Sequence, residues 1–206
     1  MIEMYTLTTD DQQAIPTAKG IIQQGGLIAF PTDTIYGLAA DAFNPQAIQR
    51  IFTAKGRSQE KALPILIADI NQLDHLVVNL DERVARIAAA FWPGALTIIL
   101  RKSPAVPTEL SPYPSVGVRM PNLAFTLTLL KETGPLATTS ANISGGPNPV
   151  NADHVMAQLG GQIDLILDGG PTPGPTASTV VDLTEPEIKI LRSGPITLAD
   201  LQSCIN

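Results

Sequence analysis

The chain has 206 residues, 44% hydrophobic and 16% charged, with a formal net charge of −6. Length and composition suit one domain, or one with a small appendage, around a sizeable core, and they exclude global disorder. The acidic balance excludes a surface that binds polyanions broadly, while a local basic cleft remains compatible with it.

The one cysteine, Cys204, cannot form an internal disulfide and reads as an incidental thiol on a terminal helix. His75 and His154 lack ligand spacing and read as surface or capping residues, so no metal site is expected. Met1–Tyr5 has no basic region followed by an apolar one, unlike a signal peptide. The most apolar stretch, 87–100, is broken by Pro93-Gly94 and is shorter than a membrane span. A soluble, cytoplasmic protein without a membrane partner is therefore expected.

Along the chain, Ala14 to Gln24 shows helical spacing and stops at Gly25-Gly26. Leu27 to Phe30 reads as a buried strand. Asn44-Pro45 supplies an N-cap and a first-turn proline for a helix that buries Ala47, Ile48, Ile51 and Phe52 and ends near Lys55-Gly56. Ile65 to Ala68 reads as a strand, and Asp81 caps a helix that stops before Pro93. Leu96–Leu100 and Val116–Val118 read as strands, Ala124–Lys131 as a helix, and Leu136–Thr139 as a strand. Asn151 opens a helix to Leu159; three late strands lie at 165–167, 179–183 and 188–191; Thr197 begins a last helix. Helices and strands alternate, but the late strands crowd together. The expected class is therefore α/β (mixed α+β), a twisted mixed sheet with packed helices in a single domain spanning 1–206.

No P-loop, dinucleotide fingerprint, metalloprotease helix or nucleophile elbow is present. Four polar clusters follow apolar elements instead. Pro31-Thr-Asp-Thr-Ile-Tyr-Gly-Leu38 is either a ligand loop at a strand end or a capping turn for a helix starting near Tyr36. Lys55-Gly-Arg-Ser-Gln-Glu-Lys61 is either a phosphate clamp or a solvated helix end. Thr138-Thr-Ser-Ala-Asn-Ile-Ser-Gly-Gly146 has backbone NH groups and hydroxyls that could cradle an anion, or is a plain turn. Ser178-Thr-Val-Val-Asp182 with Leu191-Arg-Ser-Gly194 either closes an arginine over a phosphate or carries an ordinary surface arginine. The Pro/Gly-rich stretch 168–178 reads as a loop within the domain.

Taken together, the segments at 31–38, Lys55-Gly-Arg57, Pro93-Gly-Ala-Leu-Thr97, Val116-Gly-Val-Arg-Met-Pro121, Ser140-Ala-Asn-Ile-Ser-Gly145, 178–182 and 191–194 resemble, in wording and order, the YrdC-like threonylcarbamoyl-AMP synthase family. The resemblance implies a YrdC-like fold with a concave basic groove. It implies the reaction of ATP, L-threonine and bicarbonate or CO2 to threonylcarbamoyl-AMP and diphosphate, the first step of threonylcarbamoyladenosine formation in tRNA. It implies catalytic roles for Lys55, Arg57, Ser140 and Asn142. ATP contacts would fall to Arg57, Lys61, Ser115, Ser140, Asn148 and Arg192, and threonine contacts to Thr34, Arg119, Thr138 and Ser178. Mg2+ is expected with the nucleotide, held by phosphates and water. Expected partners are the proteins of a threonylcarbamoyl-transferase complex, with a tRNA or double-stranded RNA contact through the groove.

Two departures accompany the resemblance. Long-form members carry a histidine near the threonine site where this chain has Leu66, and they have a further C-terminal domain for which this chain leaves no room. The chain thus resembles the short form, with the loop 169–177 as a candidate cover for the site. An RNA-binding YrdC-like module and a paralogue without synthase activity are the rival readings. The intact Lys-Gly-Arg and Ser-Ala-Asn segments favour the synthase.

Overall fold

Ten strands join in one sheet in the computed structural model of the chain, which describes residues 5–173 and 177–205. The expectation at the N-terminus falls largely on residues 1–4, and the candidate cover includes 174–176; both stretches lie outside the described residues.

The elements run β1 (Tyr5–Thr8), α1 (Ala14–Gln23), β2 (Ile28–Phe30), β3 (Gly37–Asp41), α2 (Pro45–Lys55) and β4 (Ile65–Leu66). A short 3-10 turn, Ile70–Gln72, leads to α3 (Leu73–Leu76), α4 (Glu82–Phe91), β5 (Leu96–Arg101), β6 (Ser115–Arg119) and α5 (Ala124–Thr133). Then come β7 (Leu136–Ser140), α6 (Ala152–Leu159), β8 (Leu165–Asp168), β9 (Thr179–Asp182), β10 (Lys189–Arg192) and α7 (Leu198–Ser203). The sheet order is β1-β8-β2-β3-β7-β4-β6-β5-β9-β10. Pairs β1/β8, β2/β8, β4/β6 and β5/β9 are parallel, and the rest antiparallel, so the sheet is mixed as the crowded late strands imply.

Helix starts follow local chemistry. Asn44, Asp81, Asn151 and Thr197 each accept a backbone N–H three residues on. Helix α2 ends where Gly56 takes a left-handed conformation, with φ of 58°. There Arg57 N–H donates to Phe52 O at 3.0 Å and Gly56 N–H to Thr53 O at 3.2 Å. This pair of bonds is a Schellman stop, and it turns the chain so that Arg57 leaves the helix axis.

Strand alternation divides the apolar residues between two faces. Leu38, Ala40, Ile65, Ala137, Leu96, Ile98, Val116 and Val118 join one core cluster, which includes residues of α2, α4 and α6. Ile28, Phe30, Ala39, Leu66, Leu136, Leu165 and Leu167 join a second cluster with α1 and α5. The second face is covered only in part. Where α1 and α5 do not reach, β5, β6, β7 and β9 present Thr97, Ile99, Gly117, Arg119, Thr138 and Val180 to a cavity, and Leu66 of β4 stands at its border with the second cluster.

Two elements differ from the sequence expectation. The strand β1 was not expected; it pairs in parallel with β8 at the sheet edge. No helix starts near Tyr36. Gly37–Asp41 is the strand β3, because it pairs with β2 on one side and β7 on the other and its first four residues are buried. Among the described residues, no helix is long and apolar enough to cross a membrane.

Candidate active site

The cavity on the open face has a volume of about 380 Å3 and is walled by residues from stretches of chain spread between Thr32 and Arg192. That volume lies in the ordinary range for small-molecule sites. Thr34, Arg57, Arg119, Thr138, Ser140, Asn148, Ser178 and Arg192 all line it. Lys55, Lys61, Ser115 and Asn142 do not. Among the described lining residues the charged groups are three arginines and no carboxylate.

Arg119 ends β6 with its side chain 9% exposed. Its Nη2 donates to Asp33 Oδ1 at 2.7 Å, its Nη1 to Thr34 Oγ1 at 3.2 Å, and its Nε to the Gly94 carbonyl at 2.9 Å. Burial lowers its pKa, and the Asp33 carboxylate opposes that by charge and hydrogen bond. The guanidinium is thus fixed in orientation by three partners from two segments far apart in sequence.

The hydroxyls divide into acceptors and one open pair. Thr32 donates its proton to the Ile35 carbonyl at 2.7 Å, and its oxygen receives the Thr34 and Ile35 N–H groups at 3.1 and 3.3 Å, so the 3.0 Å contact with the Thr34 hydroxyl does not commit the Thr34 proton. Thr138 donates to the Leu136 carbonyl at 3.0 Å, and Ser140 donates to Asn142 Oδ1 at 2.6 Å. Thr138 and Ser140 therefore offer lone pairs, not protons, and Thr34 Oγ1 accepts from Arg119. Ser178 differs: its Oγ accepts from Arg192 Nη2 at 3.0 Å and meets Thr97 Oγ1 at 2.9 Å.

Arg57 donates from Nη2 to the Ala62 carbonyl at 3.2 Å, while its Nε is buried without a partner. Burial lowers its pKa. Arg192 donates through Nε and Nη2 to the Ser178 carbonyl at 3.0 and 2.9 Å. Its pKa is lowered by burial first and then by the charge of Arg119. Like charges held near one another favour an anion between them.

Lys55 is 3% exposed and turns inward from the last turn of α2. Its ammonium donates to the Ser140 carbonyl at 2.5 Å, to the Asn142 carbonyl, and to Asn142 Oδ1 at 3.1 Å. Burial, then the charge of Arg57, pushes it down to about 7. The 140–146 loop closes round this group: Asn142 Nδ2 donates to Gly146 O, and the N–H groups of Ala141, Asn142, Ser144 and Gly146 all bond within the protein. These four N–H groups are committed and leave the loop's anion cradle without them. Lys61 is exposed, and half-buried Ser115 gives its carbonyl to Ser111 Oγ at 2.7 Å.

Thr32, Tyr36, Thr97 and Gly117 were not singled out from the sequence as site residues, yet all line the cavity. A Cβ at Gly117 would lie 3.1 Å from both Ile99 Cδ1 and Thr97 Cγ2, so the missing side chain keeps the floor open. Tyr36 OH donates to Gly170 O at 2.7 Å and accepts from Gly169 N–H at 3.1 Å. Burial raises its pKa to about 12, and so this hydroxyl stays protonated. Each of these residues lies inside a motif quoted above, and the period-2 alternation of 96–100 already set Thr97 opposite the core-facing Leu96 and Ile98. Leu66 is a cavity wall residue 4% exposed. Among the described residues no three His, Cys, Asp or Glu side chains gather to hold a metal ion.

Comparison with known proteins agrees with this architecture. The Sua5_yciO_yrdC family model, described as "Telomere recombination", matches residues 20–194. A Pyrococcus abyssi protein named threonylcarbamoyl-AMP synthase is 42% identical over 95% of this chain and 58% of its own length. A Bacillus subtilis protein of the same name is 41% identical over 97% of this chain and 58% of its own length. This chain therefore spans a little over half the length of these two relatives. A crystal structure of P. abyssi Sua5 complexed with L-threonine superposes with a TM-score of 0.91 at 40% identity, covering 100% of this chain and 61% of that one. The family match over most of the chain, the identities above 40% and the shared fold lead to one conclusion: the chain belongs to the Sua5/YciO/YrdC family, whose curated members include proteins named threonylcarbamoyl-AMP synthase.

Proposed function

We propose that this chain is an L-threonylcarbamoyladenylate synthase, a nucleotidyltransferase that converts ATP, L-threonine and bicarbonate or CO2 to threonylcarbamoyl-AMP and diphosphate. It would serve as the first step of threonylcarbamoyladenosine formation in tRNA. The observation that carries the reading is the single cavity in which Arg57, Arg119 and Arg192 converge with the oxygens of Thr34, Thr138, Ser140 and Ser178. The one sheet running from Tyr5 to Arg192 supports a single catalytic unit over residues 1–206.

Threonine's amine adds to CO2 and loses a proton, giving a carbamate. A carbamate oxygen then bonds the α-phosphorus of ATP, the bond from that phosphorus to the β-bridging oxygen breaks, and diphosphate leaves. Carbamate and triphosphate are both anions, so charge neutralisation and alignment supply the rate gain. Arg119, held in orientation by Asp33, Thr34 and Gly94, presents its fork to the threonine carboxylate. The Thr34 and Thr138 lone pairs suit the threonine hydroxyl proton or amine. Arg57, with its unpaired Nε, and Arg192 take the phosphates. Ser140 and Asn148 stand beside them, with Lys61 and Ser115 reaching nucleotide that extends past the cavity. Lys55 and Asn142 serve catalysis by fixing Ser140. Magnesium, carried by ATP phosphates and water, needs no protein cage, and no step is assigned to it.

The product's acyl-phosphate bond is labile, so a transferase complex acting on tRNA would consume it, in the cytoplasm. Purified protein should release diphosphate from ATP only when threonine and bicarbonate are both present. Serine, which lacks one methyl, should be a poorer substrate by about 1–3 kcal/mol, and valine should be near background. Release that ignores threonine would overturn this reading.

A further inference from the structure

The segment Pro93-Gly-Ala-Leu-Thr97 enters the scheme above only through the Gly94 carbonyl, yet it touches both sides of the cavity. Gly94 O receives Arg119 Nε at 2.9 Å, and Thr97, 5% exposed, meets Ser178. The parallel pairing of β5 with β9 sets Thr97 beside Val180, and Thr179 N–H donates to Ala95 O at 3.0 Å, so the two hydroxyls are held in register by backbone.

Ser178 Oγ has one proton and two lone pairs. Arg192 Nη2 takes one lone pair at 3.0 Å. If Ser178 donates to Thr97, no Ser178 proton is left for a ligand. If Thr97 donates to Ser178, that proton is free. Of the other hydroxyls assigned to substrate, Thr138 and Ser140 give their protons to protein atoms, and Thr34 sits beside the Arg119–Asp33 pair. Ser178 is the member of this set that lies against the Arg192 guanidinium, where an anion is drawn, and its proton can reach a ligand there.

We propose that Thr97 is a positioning residue for the amino-acid substrate: it donates to Ser178 Oγ and so leaves the Ser178 proton for an anionic oxygen in the cavity. The inference rests on the synthase reading and names a residue that reading does not use. Anionic ligand oxygen accepts and does not donate, so its arrival selects this direction of the Thr97–Ser178 bond. Thr97 acts through Ser178 and need not touch the substrate.

The test is diphosphate release by the purified full chain carrying Thr97→Val, Thr97→Ser, Ser178→Ala, and Thr97→Val with Ser178→Ala. Valine keeps the shape and strand preference of threonine, and a thermal melt confirms folding. Thr97→Val should raise the KM for threonine about tenfold while the KM for ATP moves less than about twofold. Thr97→Ser should recover most of that loss, and Thr97→Val should add nothing to Ser178→Ala, because the pair acts as one unit. A threonine KM unchanged in Thr97→Val, equal rises in both KM values, or full additivity in the double variant would overturn the inference while leaving the synthase reading intact. Wild-type protein without threonine-dependent release would overturn both.

Discussion

The Lys55 ammonium donates to the carbonyl of Ser140, 85 residues away, at 2.5 Å. A cation in a motif that resembles a phosphate clamp is thus enclosed by three oxygens of the 140–146 loop and is not among the residues that line the cavity. Arg57, two residues on and past the left-handed turn at Gly56, is the member of the motif that faces ligand space.

Replacing Lys55 by Met should free the 140–146 loop. The three oxygens lose their donor, and each such loss is worth about 1–3 kcal/mol. Hydrogen exchange of backbone amides in 140–146 should speed up by about ten- to a hundredfold, with α1 and α5 unchanged. Unchanged exchange across that loop would remove the strut role from Lys55.

Lys55 also gives stability a pH dependence. Its folded-state pKa is pushed down to about 7, whereas the unfolded chain holds the proton to about 10.4. Between those values the unfolded state binds more protons, so stability from this group rises with pH across that window and is flat below it. Urea unfolding of the wild type should therefore become harder from about pH 7 to about pH 9.5 relative to Lys55→Met. Parallel curves for the two proteins would contradict the shift.

Arg57→Ala should weaken use of ATP by about ten- to a hundredfold. Its guanidinium makes one hydrogen bond to Ala62 O and leaves Nε buried and unpaired, so the folded state should lose less than about 1 kcal/mol. Wild-type KM for ATP in a folded Arg57→Ala protein would end the phosphate assignment.

Arg119→Lys keeps a charge and loses the fork. One ammonium cannot satisfy Asp33, Thr34 and the Gly94 carbonyl while also gripping a carboxylate in two places. The KM for threonine should rise about tenfold or more, well beyond any change for ATP. Equal threonine KM values for lysine and arginine at this position would place the carboxylate elsewhere.

The sequence by itself determined the helix starts and the alternation within strands. Asn44, Asp81, Asn151 and Thr197 cap where capping chemistry places them, because the bond they make spans three residues and needs no distant partner. The order of motifs also gave the family and the arginines that face the cavity. Only the tertiary structure decided which side of each strand meets ligand. In Leu96–Arg101 the positions facing core and cavity alternate, but Thr97 becomes a wall residue solely because α1 and α5 stop short of that part of the sheet. The segment Gly37–Asp41 is a strand since β2 and β7 flank it, and no local signal in 31–38 reports those neighbours. Lys55 faces inward for the same reason. Three acceptors from a loop distant in sequence surround its amine, and the direction of a long side chain follows the partners that packing brings to it.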